Sequence, residues 1–208
     1  MAKEREILTD GLLELGIDPK METVAAFDLY RQELKKWNRV HNITSITDDI
    51  EIVVKHFLDS LLYLRAIPAG KLTLCDVGSG GGFPGLPIAI VRPDLEVTLL
   101  EPARKKIAFL KRMRRLLSLK NVEIIDARAE EVTDRQFDVV VTRALFTVSD
   151  MVDKAGHLVK KGGFLVLNKG PKYEEEVRQL PPSVPAEVMS VTLKKAHLTR
   201  NLITVANP

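Results

Sequence analysis

The 208-residue chain contains one cysteine and four histidines, few aromatic residues, and no long apolar run. Cys75 lacks a partner for an intrachain disulfide, and the scattered histidines show no metal-ligand spacing, so we expect neither a disulfide nor a metal. No segment approaches the ~20 apolar residues that cross a bilayer, and the charged N-terminus is unlike a signal peptide. These absences favour a cytoplasmic protein that binds no membrane.

The spacing of apolar residues divides the chain into two parts. Residues 1–67 are predicted to be helical, with one helix over residues 21–40 and another that starts from an N-cap at Thr47. From residue 71, apolar runs of strand length alternate with helical patterns, which predicts a mostly parallel sheet covered by helices. The runs are LTLCDV, EVTLLE, VEIIDA, FDVVVT and GFLVLN, with helices near residues 84–91, 103–119 and 148–160.

Two more strand-like segments, AEVMSVTL and NLITVA, follow near the C-terminus with only a short polar link between them. A link of this length favours an antiparallel hairpin over another helical crossover. We therefore expect an α/β, Rossmann-like domain with a seven-stranded sheet over residues 68–208, preceded by a helical extension over residues 1–67.

The stretch LCDVGSGGGFPGLPIAI joins the first predicted strand to a helix, and it places glycines at positions Gly78, Gly80, Gly82 and Gly85. A turn without side chains lets the backbone approach a ligand closely, as nucleotide-bearing cofactors require. Either a dinucleotide or S-adenosylmethionine fits such a turn. Glu101, at the end of the next strand, suits the ribose hydroxyls of both cofactors.

The charge of Asp76 distinguishes between these two cofactors. This residue precedes the first glycine, at the carboxyl end of its strand. A carboxylate there would repel a pyrophosphate but attract the ammonium and sulfonium groups of S-adenosylmethionine. The glycine spacing also departs from G-x-G-x-x-G, and an antiparallel hairpin is foreign to a simple dehydrogenase sheet. The residues thus favour a methyltransferase over a dehydrogenase.

The segments DVGSGGGFPGLPIAI, HNITSI, HFLDSL, LLEPARKKIAFL, DARAEE and VTRAL resemble the bacterial ribosomal RNA small subunit methyltransferase G family, also called glucose-inhibited division protein B. The resemblance runs from about residue 37 to residue 170. It implies a class I methyltransferase fold that moves a methyl group from S-adenosylmethionine to N7 of one guanine in 16S rRNA, leaving S-adenosylhomocysteine. Its motifs imply cofactor contacts by Gly78, Phe83, Ala129, Glu130 and Arg143.

The residue types also restrict the kind of methylation. Transfer to C5 of a pyrimidine needs a cysteine nucleophile, and Cys75 lies inside a predicted strand. Transfer to an exocyclic amine often uses an N/D-P-P-Y motif, whereas this chain has the residues TRAL at positions 142–145. Guanine N7 carries no proton, so transfer to it needs alignment but no general base.

Arg143 ends the fourth predicted strand, where ligands of α/β sheets bind, so we expect it to position the guanine or the cofactor. The same placement makes Arg128 and Lys169 candidates for contact with RNA. His56 and Asp59 lie at i and i+3 on the side of their helix away from its apolar stripe, and this side faces either the site or solvent.

The net charge of +3 does not by itself indicate a nucleic-acid partner, and aromatic residues, at 5%, are too few for a stacking platform. One predicted helix nevertheless has five basic residues opposite its apolar side: Arg104, Lys105, Lys111, Arg112 and Arg115. This arrangement favours contact with RNA phosphates, although a solvated basic face is the alternative.

Two other functions remain open at this level. A methyltransferase for a small molecule would need an enclosed apolar pocket and would not bind RNA. A non-catalytic RNA-binding or ribosome-assembly module could keep the fold, but it has no physical need for Asp76, Glu101 and four close glycines together. We expect a monomer that acts on 16S rRNA or the 30S subunit.

Overall fold

The computed structural model describes residues 2–143, 147–170, 173–181 and 184–207. Its N-terminal part is helical, as the apolar spacing predicts. Helix α1 spans Lys3–Glu14 and helix α2 spans Met21–His41. In the described chain no helix is both long and apolar enough to cross a membrane.

A third helix, α3, covers residues 49–65 and changes its winding three times. It is α-helical over Asp49–Ile52, π-helical over Val53–Leu58, α-helical again over Asp59–Leu61, and 3-10-helical over Leu62–Arg65. The predicted N-cap at Thr47 was wrong by one residue. The cap is Asp48, whose carboxylate accepts a hydrogen bond from the backbone N–H of Glu51 at 2.9 Å.

The remaining residues form a seven-stranded sheet in the order β3-β2-β1-β4-β5-β7-β6. Strands β1 to β5 run parallel, and β7 is antiparallel to both of its neighbours, so the predicted C-terminal hairpin is confirmed. The strands are β1 (Thr73–Val77), β2 (Glu96–Leu100), β3 (Val122–Ile125), β4 (Phe137–Arg143), β5 (Val159–Lys169), β6 (Ala186–Leu193) and β7 (Leu198–Ala206).

Four helices follow the strands: α4 (Gly85–Val91), α5 (Arg104–Leu116), α6 (Val148–Ala155) and α7 (Tyr173–Arg178). The helix predicted near residues 148–160 is therefore too long. After Ala155 the chain forms a short 3-10 turn, and β5 already begins at Val159, because Val159 pairs with Phe137 of β4. The short helix α7 was not predicted: its first turn contains three consecutive glutamates, and only Tyr173 and Val177 give the helix an apolar side.

The strand order fixes where a ligand site forms. From β1 the chain moves outward to β2 and β3, then returns to place β4 on the other side of β1. The connections after β1 and β4 therefore diverge and leave a crevice at the carboxyl ends of these two strands. The glycine turn follows β1 and Arg143 ends β4, so the two features meet at this crevice.

The N-terminal helices share one hydrophobic core with the sheet. Leu12 of α1, Leu34 of α2 and Phe57 of α3 belong to the same buried cluster as Leu74 of β1 and Val139 of β4. A second cluster fills the other face of the sheet, beneath α6. Because the first cluster is continuous across residues 1–67 and the sheet, we expect these two parts to unfold together.

Helix α1 also contacts the far end of the chain. The Glu14 carboxylate accepts hydrogen bonds from the backbone N–H groups of Lys194 and Lys195, at 2.8 and 2.9 Å. The Lys195 ammonium lies 2.9 Å from the Asp10 carboxylate. The turn between β6 and β7 is thus held by the first helix.

A pair of adjacent leucines tests the shared core. Leu12 is 0% exposed, whereas its neighbour Leu13 is 57% exposed. We expect Leu12→Ala to lower the free energy of unfolding of the whole chain by about 2–5 kcal/mol, and Leu13→Ala to change it by less than about 0.5 kcal/mol. Urea unfolding followed by circular dichroism and by Trp37 fluorescence measures both. Two separate transitions in the wild-type protein would contradict the single core.

Candidate functional site

The glycine turn between β1 and α4 has a backbone that only glycine adopts without strain. Gly78, Gly80 and Gly82 have positive φ angles of 70°, 59° and 92°. Their surroundings differ, however. A Cβ on Gly82 would lie 2.5 Å from Leu86, whereas a Cβ on Gly80 would meet only the Gly78 carbonyl oxygen, at 3.8 Å. Gly82 therefore permits close packing, and Gly80 leaves open space beside the turn.

A cavity of about 360 Å³ adjoins the start of this turn, where Val77 and Gly78 line it. Five of the predicted ligand-binding residues line it: Gly78, Glu101, Arg128, Ala129 and Glu130. Leu100 and Pro102 supply apolar walls. Such a mixture of apolar walls and a few polar groups is typical of sites for nucleosides.

Glu101 is fixed at this cavity by two backbone donors. Its Oε2 atom accepts the N–H of Gly80 at 2.8 Å, and its Oε1 atom accepts the N–H of Ala103 at 2.9 Å. Each carboxylate oxygen can accept a second hydrogen bond. The side chain is therefore oriented in advance for a pair of hydroxyl groups.

Asp76 is 0% exposed and lies behind the turn, outside the cavity lining. Its Oδ2 atom accepts the N–H of Gly85 at 2.8 Å, and its Oδ1 atom has no partner among the described residues. Burial raises the pKa of this carboxyl to about 7, and the nearby Glu101 adds to the rise, while the Gly85 N–H and Arg143 oppose it. A nearby cation would satisfy this unpartnered buried oxygen and favour the ionised form.

A second group of predicted residues forms a stack beside the turn. The Phe83 ring lies 4.3 Å from the His56 ring and 5.3 Å from the Tyr30 ring, measured between centroids, and it is nearly parallel to both. The Arg143 guanidinium lies 4.9 Å from the Phe83 centroid, within cation–π range. The Tyr30 hydroxyl donates to the carbonyl oxygen of Gly81. Helices α2 and α3 therefore hold the turn from the side opposite the sheet.

The Arg143 guanidinium has acceptor atoms of three residues around it. It donates to the Lys55 carbonyl oxygen at 2.9 Å and to Nδ1 of His56 at 3.0 Å, and it lies 3.6 Å from Asp59. Its side chain is only 17% exposed. Burial and the Arg143 charge together lower the pKa of His56 to about 3, so this histidine is neutral at physiological pH.

His56 and Asp59 face the site, which is one of the two placements that their spacing left open. They are only 5% and 4% exposed, and both contact Arg143. The stretch Val53–Leu58, which includes His56, is π-helical. Asp59 also pairs with Arg200 of β7 at 2.7 Å; burial raises its pKa, while Arg200 and Arg143 oppose the rise.

The residues predicted to bind RNA have different surroundings. Four of those on α5 are exposed and have no ion pair within the described ranges: Arg104, Lys105, Lys111 and Arg115. Arg112 instead lies 3.3 Å from Glu33 of α2. Arg128 is exposed at the cavity, whereas Lys169 pairs with Glu176 at 2.8 Å and is 13% exposed.

Tyr30 and Thr44 contact this site but had no role in the sequence analysis. Tyr30 belongs to the apolar stripe of α2, and nothing in its spacing reveals the bond to Gly81. Thr44 lies in the HNITSI motif, and its hydroxyl oxygen is 2.8 Å from Nε2 of His56. Ala144 and Leu145, which complete the VTRAL motif, lie outside the described residues.

The family model for rRNA small subunit methyltransferase G matches residues 23–203. The chain belongs to this family. The ribosomal RNA small subunit methyltransferase G of Neisseria meningitidis is 40% identical over 185 residues, which cover 89% of each chain. The protein of the same name from a Geobacter species is 39% identical over 210 residues, which cover 97% of this chain and 96% of the relative.

Solved structures show the same fold at low sequence identity. A methyltransferase from Pyrococcus furiosus has a TM-score of 0.59 at 15% identity, and the match covers 84% of this chain and 96% of that chain. A precorrin-6y C5,15-methyltransferase from Geobacter metallireducens has a TM-score of 0.55 at 18% identity, covering 73% and 88%. The expected family, methyltransferase activity and class I fold are thereby confirmed.

The buried carboxyl of Asp76 gives a test by pH. Its pKa of about 7 in the folded protein exceeds its ordinary value of 3.8, so the folded state keeps a proton that the unfolded chain has released. The stabilisation from this proton is complete below about pH 4 and is lost as the pH rises through about 7.

We therefore expect the free energy of unfolding of the wild-type protein to fall between about pH 4 and about pH 7, relative to Asp76→Asn, by up to about 4 kcal/mol. Urea unfolding of both proteins at several pH values measures this difference, and contributions from other titrating groups cancel in it. A difference that does not change with pH would contradict the raised pKa.

Proposed function

We propose that this protein transfers a methyl group from S-adenosylmethionine to N7 of a guanine in 16S rRNA. One observation carries the proposal: Glu101 is held between two backbone N–H groups at a cavity formed at the carboxyl ends of the strands. Family membership supports both the cofactor and an rRNA substrate.

The residues present fit the cofactor. Gly78, Ala129 and Glu130 line the cavity, and Glu101 there offers paired acceptors for ribose hydroxyls. Buried Asp76 lies outside the cavity lining and supports the turn through its hydrogen bond from the Gly85 N–H.

Bound S-adenosylmethionine supplies an electrophilic methyl group, which bonds to N7 as the carbon–sulfur bond breaks and sulfur keeps that electron pair. Guanine N7 attacks with a lone pair that carries no proton, so no side chain has to remove one. The protein acts mainly by alignment. Arg143 is the positioning residue in this proposal, because its guanidinium is held rigidly by Lys55, His56 and Asp59 beside Phe83.

The substrate is proposed to be 16S rRNA within the 30S subunit, and the protein is proposed to act as a monomer in the cytoplasm. Arg104, Lys105, Lys111 and Arg115 form an exposed basic surface on α5, which we call the α5 basic face. Helix α5 starts three residues after Glu101 and its Lys106 lines the cavity, so the α5 basic face lies on a helix that begins at the cavity. Arg128 adds a further exposed cation at the cavity itself.

Methyl transfer to unmodified 30S subunits tests the proposal directly. We expect purified protein with labelled S-adenosylmethionine to place one methyl group per subunit, recovered after digestion as 7-methylguanosine by mass spectrometry.

The variant Glu101→Gln tests the cofactor site. It should weaken S-adenosylmethionine binding about ten-fold or more, measured by isothermal titration, because the side chain no longer offers two charged acceptors.

The other outcomes separate the rival functions. Cofactor binding without any methyl transfer to 30S subunits or free 16S rRNA would favour a small-molecule methyltransferase. RNA binding without cofactor binding would favour a non-catalytic ribosome-assembly module. Heat released by a nicotinamide dinucleotide, but not by S-adenosylmethionine, would reverse the assignment of the glycine turn.

The α5 basic face gives a second test through salt dependence. We expect the double variant Lys111→Glu/Arg115→Glu to bind 16S rRNA more weakly and to reduce the slope of log affinity against log salt by about 2, since each cation contacts a phosphate. Affinity for S-adenosylmethionine should stay unchanged.

The matched control is the double variant Lys20→Glu/Lys161→Glu, which makes the same change of net charge at exposed positions away from α5. Fluorescence anisotropy with labelled rRNA between about 50 and about 200 mM KCl measures both slopes. If the two double variants lower the slope equally, the α5 basic face is only a solvated surface.

A further inference from the structure

The loop between α2 and α3 contributes a chain of hydrogen bonds that leads away from Arg143. Nδ1 of His56 is 3.0 Å from the Arg143 guanidinium, and Nε2 of His56 is 2.8 Å from the hydroxyl oxygen of Thr44. This chain joins the carboxyl end of β4 to the HNITSI motif. Neither the cofactor cavity nor the sheet requires it.

The direction of each hydrogen bond follows from the chemistry of arginine. A guanidinium has only N–H donors, so Nδ1 of His56 must accept the bond from Arg143. His56 is neutral and therefore carries its single ring proton on Nε2. Nε2 then donates to the hydroxyl oxygen of Thr44, which accepts.

The same oxygen accepts a second bond, because the backbone N–H of Ile46 points to it at 3.1 Å. Both lone pairs of the Thr44 hydroxyl are thus in use, and only its proton is left for another partner. Within the described ranges no acceptor meets this proton. Thr44 is half-buried, so the proton of its hydroxyl is available to an acceptor from outside the chain.

The backbone around Thr44 is also fixed. The Thr44 N–H donates to the side-chain oxygen of Asn38 at 2.8 Å, and the adjacent Ile43 is buried in the core. Asn42 adopts a positive φ of 50° at the end of α2, which turns the chain toward His56. The hydroxyl is therefore oriented before any ligand binds.

We propose that the Thr44 hydroxyl donates a hydrogen bond to O6 of the target guanine and so selects guanine over adenine. The proposal rests on methyl transfer to guanine N7, as proposed above. The edge of guanine that carries N7 presents two acceptors, N7 and O6, whereas the same edge of adenine presents N7 and an amino donor. With N7 turned toward the methyl group, O6 is the acceptor that remains.

Arg143 and His56 act through Thr44 as positioning residues in this proposal. Arg143 places the ring proton of His56 on Nε2, and His56 then turns the Thr44 proton outward. An adenine amino group would meet this proton with another donor, and the clash of two donors excludes adenine. A fixed donor therefore discriminates between purines without a change in the fold.

The first experiment compares Thr44→Val with Thr44→Ser on unmodified 30S subunits. Valine matches threonine in shape but has no hydroxyl. We expect Thr44→Val to raise KM for 30S subunits about ten-fold and to change kcat by less than about three-fold, because O6 is bound in the ground state and the transition state alike. Thr44→Ser should restore most of the lost affinity. Thr47→Val, at an exposed position of the same loop, is the matched control.

The second experiment removes the acceptor instead of the donor. A 16S rRNA ligated with 2-aminopurine at the methylated position keeps N7 but lacks O6, and it can be assembled into 30S subunits. If Thr44 donates to O6, Thr44→Val should change KM for this substrate by less than about two-fold, because donor and acceptor are coupled. An undiminished effect of Thr44→Val on this substrate would overturn the assignment of O6.

A third measurement is independent of activity. Nitrogen-15 NMR of the histidine rings should show His56 as the Nε2–H tautomer, and a proton on Nδ1 would overturn the proposal.

Equal losses of S-adenosylmethionine affinity and of 30S affinity in Thr44→Val would show that the hydroxyl supports the fold instead. If the wild-type protein transfers no methyl to N7, the proposed function itself fails; if wild type and Thr44→Val have equal KM values, only this inference fails.

Discussion

Arginine has no hydrogen-bond acceptor, and this property of Arg143 determines the arrangement around it. Every polar neighbour of its guanidinium must accept: the Lys55 carbonyl, the His56 ring nitrogen and the Asp59 carboxylate. All three lie on α3, so one side chain at the end of β4 fixes the orientation of that helix. His56 and Asp59 are three residues apart and buried on the side of α3 that meets Arg143.

Much of the sheet could be predicted because each strand is marked by a pattern in consecutive residues. Each buried strand is a short apolar run, and the position of Glu101 after the second run places it at the edge where Gly80 also lies. Local patterns also predicted the C-terminal hairpin. The end of α6 was misplaced because the pairing of Val159 with Phe137, which starts β5, joins residues far apart in sequence.

The side-chain contacts within the site could not be predicted from the spacing of residues in the sequence. Spacing left open whether His56 and Asp59 face the site or solvent, because their contacts with Arg143 join residues more than 80 positions apart. Asp76 was expected to face the ligand, yet it is buried behind the turn and holds Gly85. The contact of Tyr30 with Gly81 joins residues 51 positions apart, and no periodicity encodes such a pair.

The hydrogen bonds between Glu14 and the turn at Lys194 and Lys195 bear on the order in which the protein folds during translation. The first helix leaves the ribosome before the hairpin that it holds has been translated. The Glu14 carboxylate therefore cannot form these hydrogen bonds until residues 194 and 195 have been made, since long-range pairings form only after both partners exist. These polar contacts are therefore among the last to form, whereas the apolar side of α1 can pack against α2 and α3 as soon as those helices have been made.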